Sequence, residues 1–593
     1  MSGDEHNGIA NGQQSLLRRL LPFLDWFPMT AAGVRADLIA GLTVAMVLIP
    51  QSMAYAQLAG LPPVCGLYAA FLPTIVGALW GSSRHLSTGP VAMTSLLTAA
   101  SLMPLAAAGT ERHLALAATL AVMVGIIRIA LGVLRLGFVA NFIAHPVVCG
   151  FTNAGALIIA ASQIDSLLGL QTGNQRNLFE KFWLVIFDLR HTDLPVAAFG
   201  LGAVALMLCL RRRVPRWPAA LLTAGVATAI CGLLALRQGQ TLVPVVGAVP
   251  RGLPRLSLSL LEPASAARLF PAAAVLVLVG FMEAASVSKA LAERSRQRLN
   301  LNQELIGQGL ASLAAGCTQG FPVSGSFSRS ALNHAAGART GLSSVTAGLA
   351  VLLTLLFFTP LLYYLPLAVL GAIIVIAVLR LLDWRSMRQA WRAHPHDGVT
   401  AWATFGLTLY LAPHLEFGIL GGALLALALY LYRTMTPRVV VLGLHPDGTL
   451  RDARTHRLAI DRAHPAIRFG GRLYFANAAA FEEAVLDVLA DYPQARHILI
   501  MGDGINEMDA TGAHMLRHLV QRLREIGVTL VFVELKLQIA ETLARTGLDR
   551  LIRPENMFRT YAAAHAAVEE RERAAAGTPA APPPPNASAG PHP

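Results

Sequence analysis

Apolar windows recur along the chain up to about residue 433, each closed by a short polar turn. They fall at 38–58, 63–81, 88–104, 113–137, 141–165, 195–211 and 218–237, and again at 271–292, 303–317, 324–337, 342–365, 366–382, 398–412 and 416–433. A spanning helix needs about 20 apolar residues, so the pattern predicts about fourteen membrane segments. Segments 3 and 10, at 88–104 and 324–337, are too short and too broken to cross alone. Beyond residue 434 the period changes. "RHILIMGD" and "VTLVFVEL" read as strands, and "GAHMLRHLVQRLREIG" between them has helical spacing. Strand, helix, strand in that order predicts a small α/β domain over 438–570. The Pro/Ala-rich 571–593 reads as a disordered tail.

Composition agrees with a membrane chain. Of 593 residues, 54% are hydrophobic and only 14% charged, and the mean hydropathy is +0.54. Soluble domains carry about 25% charged residues. The net charge of +13 does not mark a nucleic-acid binder, because the basic residues sit in short loops between spans. With the N-terminus inside (Arg18, Arg19, Arg35), the clusters "LRRRVPRW", "AERSRQRLN" and "RLLDWRSMRQAWR" all fall on the same side. The 238–270 connection, with Arg251, Arg255 and Arg268, runs against the trend, and long loops count for less. An even number of spans places both termini in the cytoplasm. The expected location is the inner (plasma) membrane. The N-terminal segment 1–36 lacks the order of a cleaved signal peptide. The five cysteines lie in or beside apolar segments without C-x-x-C spacing, and read as small core residues.

Fourteen segments divide into seven and seven, and an odd repeat inverts the second half. Gln51 in segment 1 and Glu283 in segment 8 are 232 residues apart, as are Pro90 of "GPVAMTS" and Pro322 of "FPVSGSFS". Both offsets fit an inverted-repeat transporter. Segments 3 and 10 each start with Pro-Val, and proline suits the first helical turn. Two half-helices beginning in mid-membrane would aim free N–H groups and positive dipole ends at each other, which makes an anion site from backbone alone. Serine hydroxyls would add donors, and Arg329 a positive field. Close helix packing also accounts for Gly/Ser-rich stretches, but not for an arginine there.

Single polar residues in apolar spans are expensive and so are functional candidates. Gln51, in "VLIPQSMAYA", reads as a substrate-facing amide, or as an interhelical hydrogen bond. Glu283, in "VLVGFMEAASVSKAL", reads as a proton carrier, or as a carboxylate neutralised by Arg329. Lys289 reads as a snorkelling side chain, and His145 and His334 as interfacial. Arg128 has no role at this level. There is no P-loop, H-E-x-x-H or G-x-S-x-G, so neither an ATP-driven pump nor a hydrolase is expected.

The stretch "DLIAGLTVAMVLIPQSMAYAQLAGLPPVCGLYAAFLPTIVGALWGSSRHLSTGPVA", with "GFMEAASVSKAL", "NQELIGQGLASLAAG" and "PVSGSFSRSALN", resembles the SulP (sulfate permease) family from about Asp37 to Val568. The resemblance implies a seven-plus-seven inverted repeat of core and gate domains moving as an elevator, a homodimer, and an anion held between half-helices 3 and 10. It assigns the binding positions to Gln51 and Tyr55, to Thr88, Gly89, Pro90 and Val91, and to Ser326, Phe327, Ser328 and Arg329. Glu283 matches the family's proton-linked acid. Sodium-dependent bicarbonate members carry an aspartate further along helix 8, where this chain reads "SVSKALAER". The C-terminal "IRFGGRLYFANAAAFEEAV" and "INEMDATGAHML" resemble a STAS domain. In the anti-sigma factor antagonists that share this fold a phosphorylated serine follows the aspartate; here Ala510 stands in its place, which argues against a phosphorylation switch, and the domain reads as a dimerisation or folding element without a ligand.

Together these readings give a cytoplasmic segment 1–36, a transmembrane anion transporter domain 37–434, a STAS domain 438–570 and a tail 571–593. The expected function is secondary, proton-coupled transport of a small anion, sulfate first, with no cofactor, no metal and no nucleic acid. The alternatives are bicarbonate or a C4-dicarboxylate as substrate, or a transporter-like sensor signalling to a cytoplasmic partner of the STAS domain.

Overall fold

The structure is a computed structural model that describes residues 21–138, 144–170, 190, 192–214, 217–238, 240–250, 252–254, 263–379, 381–412 and 414–575. Arg18, Arg19, Arg251, Arg255 and most of the tail lie outside the described residues. Packing divides the chain between Ala426 and Leu427.

The first unit is helical. Its elements are α1 (Ala31–Leu58), α2 (Pro63–Trp80), β1 (Thr88–Gly89), α3 (Ala92–Leu102), α4 (Glu111–Val133), α5 (His145–Ser162), α6 (Leu194–Arg213) and α7 (Ala219–Gln238). The second half holds α8 (Pro263–Ser295), α9 (Leu301–Cys317), β2 (Ser324–Gly325), α10 (Phe327–Ala335), α11 (Leu342–Leu353), α12 (Leu367–Val378), α13 (Pro395–Tyr410) and α14 (Leu415–Met435). These are the fourteen predicted segments in order, a seven-plus-seven inverted repeat. Among the described residues nine helices are long and apolar enough to cross a bilayer, and α3 and α12 are shorter apolar ones. The predicted loop 380–392 contains an amphipathic helix, Trp384–Ala393, in which Trp384, Met387 and Trp391 recur at helical spacing between arginines.

Two sets of helices pack chiefly within themselves. One comprises α1–α4 with α8–α11; the other comprises α5–α7 with α12–α14, and α1 meets α7 and α12 across the seam. Helices approach closely where glycine removes the side chain. A Cβ on Gly125 of α4 would lie 2.8 Å from the Gly309 carbonyl of α9, and one on Gly66 of α2 only 1.9 Å from the Ser52 carbonyl of α1. Asp37, wholly buried, ties α1 to the turn before α11: it accepts from the Arg339 N–H at 2.6 Å, the Thr340 N–H at 3.1 Å and the Thr340 hydroxyl at 2.6 Å.

The second unit is a mixed sheet flanked by helices. Strands β3 (Arg438–Leu444), β4 (Leu450–Asp452), β5 (Ala466–Leu473), β6 (His497–Met501), β8 (Thr529–Val533) and β9 (Met557–Phe558) run in the order β4-β3-β5-β6-β8-β9, with β7 (Ile505–Met508) on β5. β5, β6, β8 and β9 pair in parallel, and β3 joins antiparallel. Alternation sorts the two faces. Ile467, Ile498, Ile500, Leu530 and Phe532 meet α15 (Ala478–Asp491), α16 (Ala510–Glu525) and α17 (Leu537–Thr546). Ala466, Leu499, Val531 and Val533 face the other way, onto Ala564 and Val568 of α18 (Tyr561–Ala575). α18 continues five residues past the predicted start of the tail, because Glu569–Arg573 pairing and the apolar stripe extend the helix.

Candidate functional site

In the middle of the first unit the two half-helices meet. β1 and β2 form a two-residue antiparallel ribbon, Thr88 opposite Gly325 and Gly89 opposite Ser324. α3 starts two residues after Pro90 and α10 two residues after Gly325, each through an extended N-cap, Val91 and Ser326. The helices have 11 and 9 residues, about 16 and 14 Å at 1.5 Å per residue, or half of a ~30 Å hydrocarbon core. Their first-turn N–H groups have no intrahelical acceptor. Ser326 Oγ accepts from the Arg329 N–H at 3.5 Å, whereas Val91 offers no side-chain cap.

The reading of both prolines as first-turn residues does not hold. Pro90 precedes the N-cap of α3, and Pro322 lies four residues before that of α10. The ribbon, not the proline, starts each helix: its pairing fixes extended backbone on both sides. The equivalent residues are therefore Val91 and Ser326, three positions away from the register read off the prolines.

Two buried arginines fasten the ribbon. Arg329 Nη1 donates to the Pro90 carbonyl at 2.8 Å and Nε to Ser87 Oγ at 3.4 Å, which joins α10 to the strand that feeds α3. Arg128, on α4, donates through Nη1 to the Val323 carbonyl at 2.7 Å and Ser312 Oγ at 3.1 Å, and through Nη2 to the Leu276 carbonyl at 3.2 Å. That is the role the sequence did not supply for Arg128. The close approach requires Gly280, where a Cβ would fall 2.2 Å from Arg128 Nη2.

Arg329 Nη2 is buried without a hydrogen-bond partner and lies beside Gly89, whose absent Cβ would sit 3.3 Å away. Further buried polar atoms without partners lie in this region, among them Gln51 Oε1 on α1, Glu283 Oε2 on α8, Arg128 Nε on α4 and Gln308 Oε1 on α9. Tyr55 follows Gln51 by one turn, and both Arg329 and Glu283 are within its electrostatic range. Glu283 feels both Arg329 and Arg128, and α8 packs on β2, α3 and α10. At the tip of α10, Phe327 and Ser328 are exposed while Ser326 and Arg329 are buried. The structure thus brings Tyr55, the 88–91 turn, Glu283 and the 326–329 turn together, with Gln51 one turn along α1. His334 makes an edge contact with His85 at 4.8 Å, His145 starts α5, and Lys289 is exposed.

The sequence reading missed the supports. Thr74 Oγ1 lies 2.7 Å from the Thr88 carbonyl, and Gln308 Nε2 donates to Thr88 Oγ1 at 2.6 Å. Glu304 accepts from the Ser82 and Ser83 N–H groups at 2.9 and 3.0 Å and from Gln308 at 3.3 Å. A signal was present: Glu304 and Gln308 form a polar i, i+4 pair inside an apolar segment.

A sequence profile described as the sulfate permease family matches residues 34–404, and a STAS domain profile matches 458–564. The chain belongs to the sulfate permease family. A chloroplastic sulfate transporter of Arabidopsis thaliana is 32% identical over 558 residues, covering 90% of this chain and 80% of that one. A probable sulfate transporter of Mycobacterium tuberculosis is 34% identical over 544 residues, covering 91% and 96%. Among solved structures, a murine Solute Carrier 26 family member A9 anion transporter in the inward-facing state superposes with a TM-score of 0.85 at 22% identity, over 94% and 95% of the two chains. The transmembrane domain of a cyanobacterial bicarbonate transporter gives 0.57 at 23% identity, over 67% and 98%. These two share the fold. Membership makes this permease a multi-pass membrane protein of a transporter family, not of an enzyme family.

Proposed function

We propose that this permease is a secondary active transporter of a small inorganic anion, sulfate first, which sits between the N-termini of α3 and α10. The observation that carries the reading is Arg329 Nη2: a buried guanidinium N–H without a partner, beside two helix starts of which one has no side-chain cap and the other only the long contact from Ser326. A desolvated charge is stabilised by a counter-charge, and an anion there would accept from Arg329, the serine hydroxyls and the free backbone N–H groups together. A helix N-terminus contributes about 0.3–1 kcal/mol each, up to ~2 when partly buried. Sulfate as the first substrate rests on the names borne by the relatives.

Glu283 is the proposed proton site. Its orphan oxygen stands within electrostatic range of Arg329, so protonating it would change the charge the anion meets. Proton symport would then keep the loaded site near electroneutral. The proposed movement is an elevator, in which α1–α4 and α8–α11 slide against α5–α7 and α12–α14; the two packing groups support it. The proposed setting is the plasma membrane with both termini cytoplasmic, as a homodimer. The proposed domain limits are 37–434 and 438–570.

The test is labelled sulfate uptake into proteoliposomes with and without an inward proton gradient, with bicarbonate and succinate as competitors. Gradient-driven sulfate uptake that disappears in Arg329→Ala supports the site. Uptake of a competitor alone overturns the substrate, and silence for every anion overturns transport in favour of a sensor.

A further inference from the structure

The STAS unit concentrates imidazole and carboxylate groups at one edge, between α18, the loop before β5 and the start of β6. Asp461 Oδ2 lies 3.1 Å from His464 Nδ1 and 2.9 Å from His565 Nε2, and the three atoms lie within 4.8 Å of one another. The other nitrogen of each histidine faces a carboxylate: His464 Nε2 is 3.0 Å from Glu572 Oε2, and His565 Nδ1 is 3.6 Å from Glu569 Oε1. His565, Glu569 and Glu572 recur at i, i+4 and i+7, so one face of α18 presents all three.

We propose that this cluster is a site for one divalent transition-metal cation, zinc first, ligated by Asp461 Oδ2, His464 Nδ1 and His565 Nε2. A tetrahedral zinc with ligand bonds near 2.0–2.1 Å needs ligand atoms about 3.3 Å apart. Here the 2.9 and 3.1 Å separations need only a few tenths of an ångström of spreading. Two imidazoles with a carboxylate select zinc, nickel or copper over calcium or magnesium, which take oxygen ligands. The backing carboxylates Glu572 and Glu569 are what metal-bound histidines use on their second nitrogen, to fix the tautomer and raise basicity. Access is present on one side: the His464 side chain is 7% exposed, but Asp461 and His565 are 32% and 28% exposed. That edge leaves a fourth position for water.

A second triad, His464 Nε2, His497 Nδ1 and Glu572, shares the same imidazole. It is the weaker candidate, because among the described residues no carboxylate faces the second nitrogen of His497. In the assigned triad a metal would join α18, the last described helix, to the loop before β5, two parts also tied by the His464–Glu572 pair.

The experiment uses the full chain in detergent, purified without a polyhistidine tag and stripped with a chelator. Zn²⁺ is titrated by calorimetry, and Co²⁺ is followed by its visible absorption as a coordination probe. One Zn²⁺ per chain is expected, with four-coordinate Co²⁺ bands. His565→Gln and Asp461→Asn should each weaken Zn²⁺ by about 100-fold or more, and Glu569→Gln by about 10-fold, as outer carboxylates do. His497→Ala should stay within about 3-fold. Glu569→Gln changes a part-exposed carboxylate that is not a ligand, so it remains readable if a ligand variant misfolds. The proposal is overturned by no stoichiometric binding at about 0.1 mM Zn²⁺, by binding that survives His565→Gln with Asp461→Asn, or by binding lost in His497→Ala but kept in Asp461→Asn.

Discussion

The two halves of the ribbon reach the same geometry by different chemistry. On the α3 side the N-cap and the first two helical positions are apolar, Val91, Ala92 and Met93, all buried, and the hydroxyls of Thr94 and Ser95 turn back onto the Val91 carbonyl. The α10 side is polar: Ser326 as N-cap, an exposed Ser328, and Arg329 reaching back to Pro90. One half-helix contributes backbone only, the other backbone plus charge. The pinning is reciprocal, since Arg128 from the first repeat holds the approach to β2 and Arg329 from the second holds the exit of β1. A repeat can therefore keep its fold while one copy carries a charge at the ribbon and the other remains neutral there.

The largest effect expected from disturbing this division is in Arg329→Ala. Truncating a buried, hydrogen-bonded charge costs about 2–5 kcal/mol, so sulfate uptake should fall at least ~30-fold. Arg329→Lys should restore little, because a lysine cannot make the fork to Pro90 and Ser87. Recovery with Lys would mean that charge alone is read. Next is Glu283→Gln, which keeps the shape and removes the titrating group. Sulfate exchange across the liposome membrane should persist while stimulation by a proton gradient is lost; retained stimulation would remove Glu283 from coupling.

A smaller change is expected on the neutral side. Gly89→Ala puts a methyl 3.3 Å from Arg329 Nη2, overpacking of about 1–3 kcal/mol, read as roughly 10-fold weaker sulfate affinity. Unaltered affinity would show that this atom does not face the anion. The smallest is the pair of caps. Ser326→Ala should lower thermal stability by about 0.5–2 kcal/mol, while Val91→Thr, which adds a cap acceptor, should leave stability and uptake nearly unchanged. Equal losses in both would erase the asymmetry.

Much of this was legible in the chain. Every predicted segment has a helix, since apolar runs of about 20 residues have few other folds available. Glu283 and Gln51 stood out because polar groups within such runs are conspicuous. The prolines misled the register, because a proline marks a break without saying whether the helix N-cap lies one residue later or four. Arg128 remained unexplained because its partners are carbonyls of Val323 and Leu276, and carbonyls carry no sequence signature. The same reason hid the polar supports: Gln308 matters through Thr88, some 220 residues away.

The sequence by itself determined how many elements there are, which of them are broken and where charge collects. Those properties follow from local periodicity and from the cost of placing polar groups in hydrocarbon. Only the tertiary structure decided what the broken elements do: that their starts pair as a two-residue ribbon, that buried arginines lock it from both repeats, and that several buried polar atoms around it are left without protein partners. Hydrogen bonds between distant backbone groups are set by packing, and packing is decided only when all the helices are present at once.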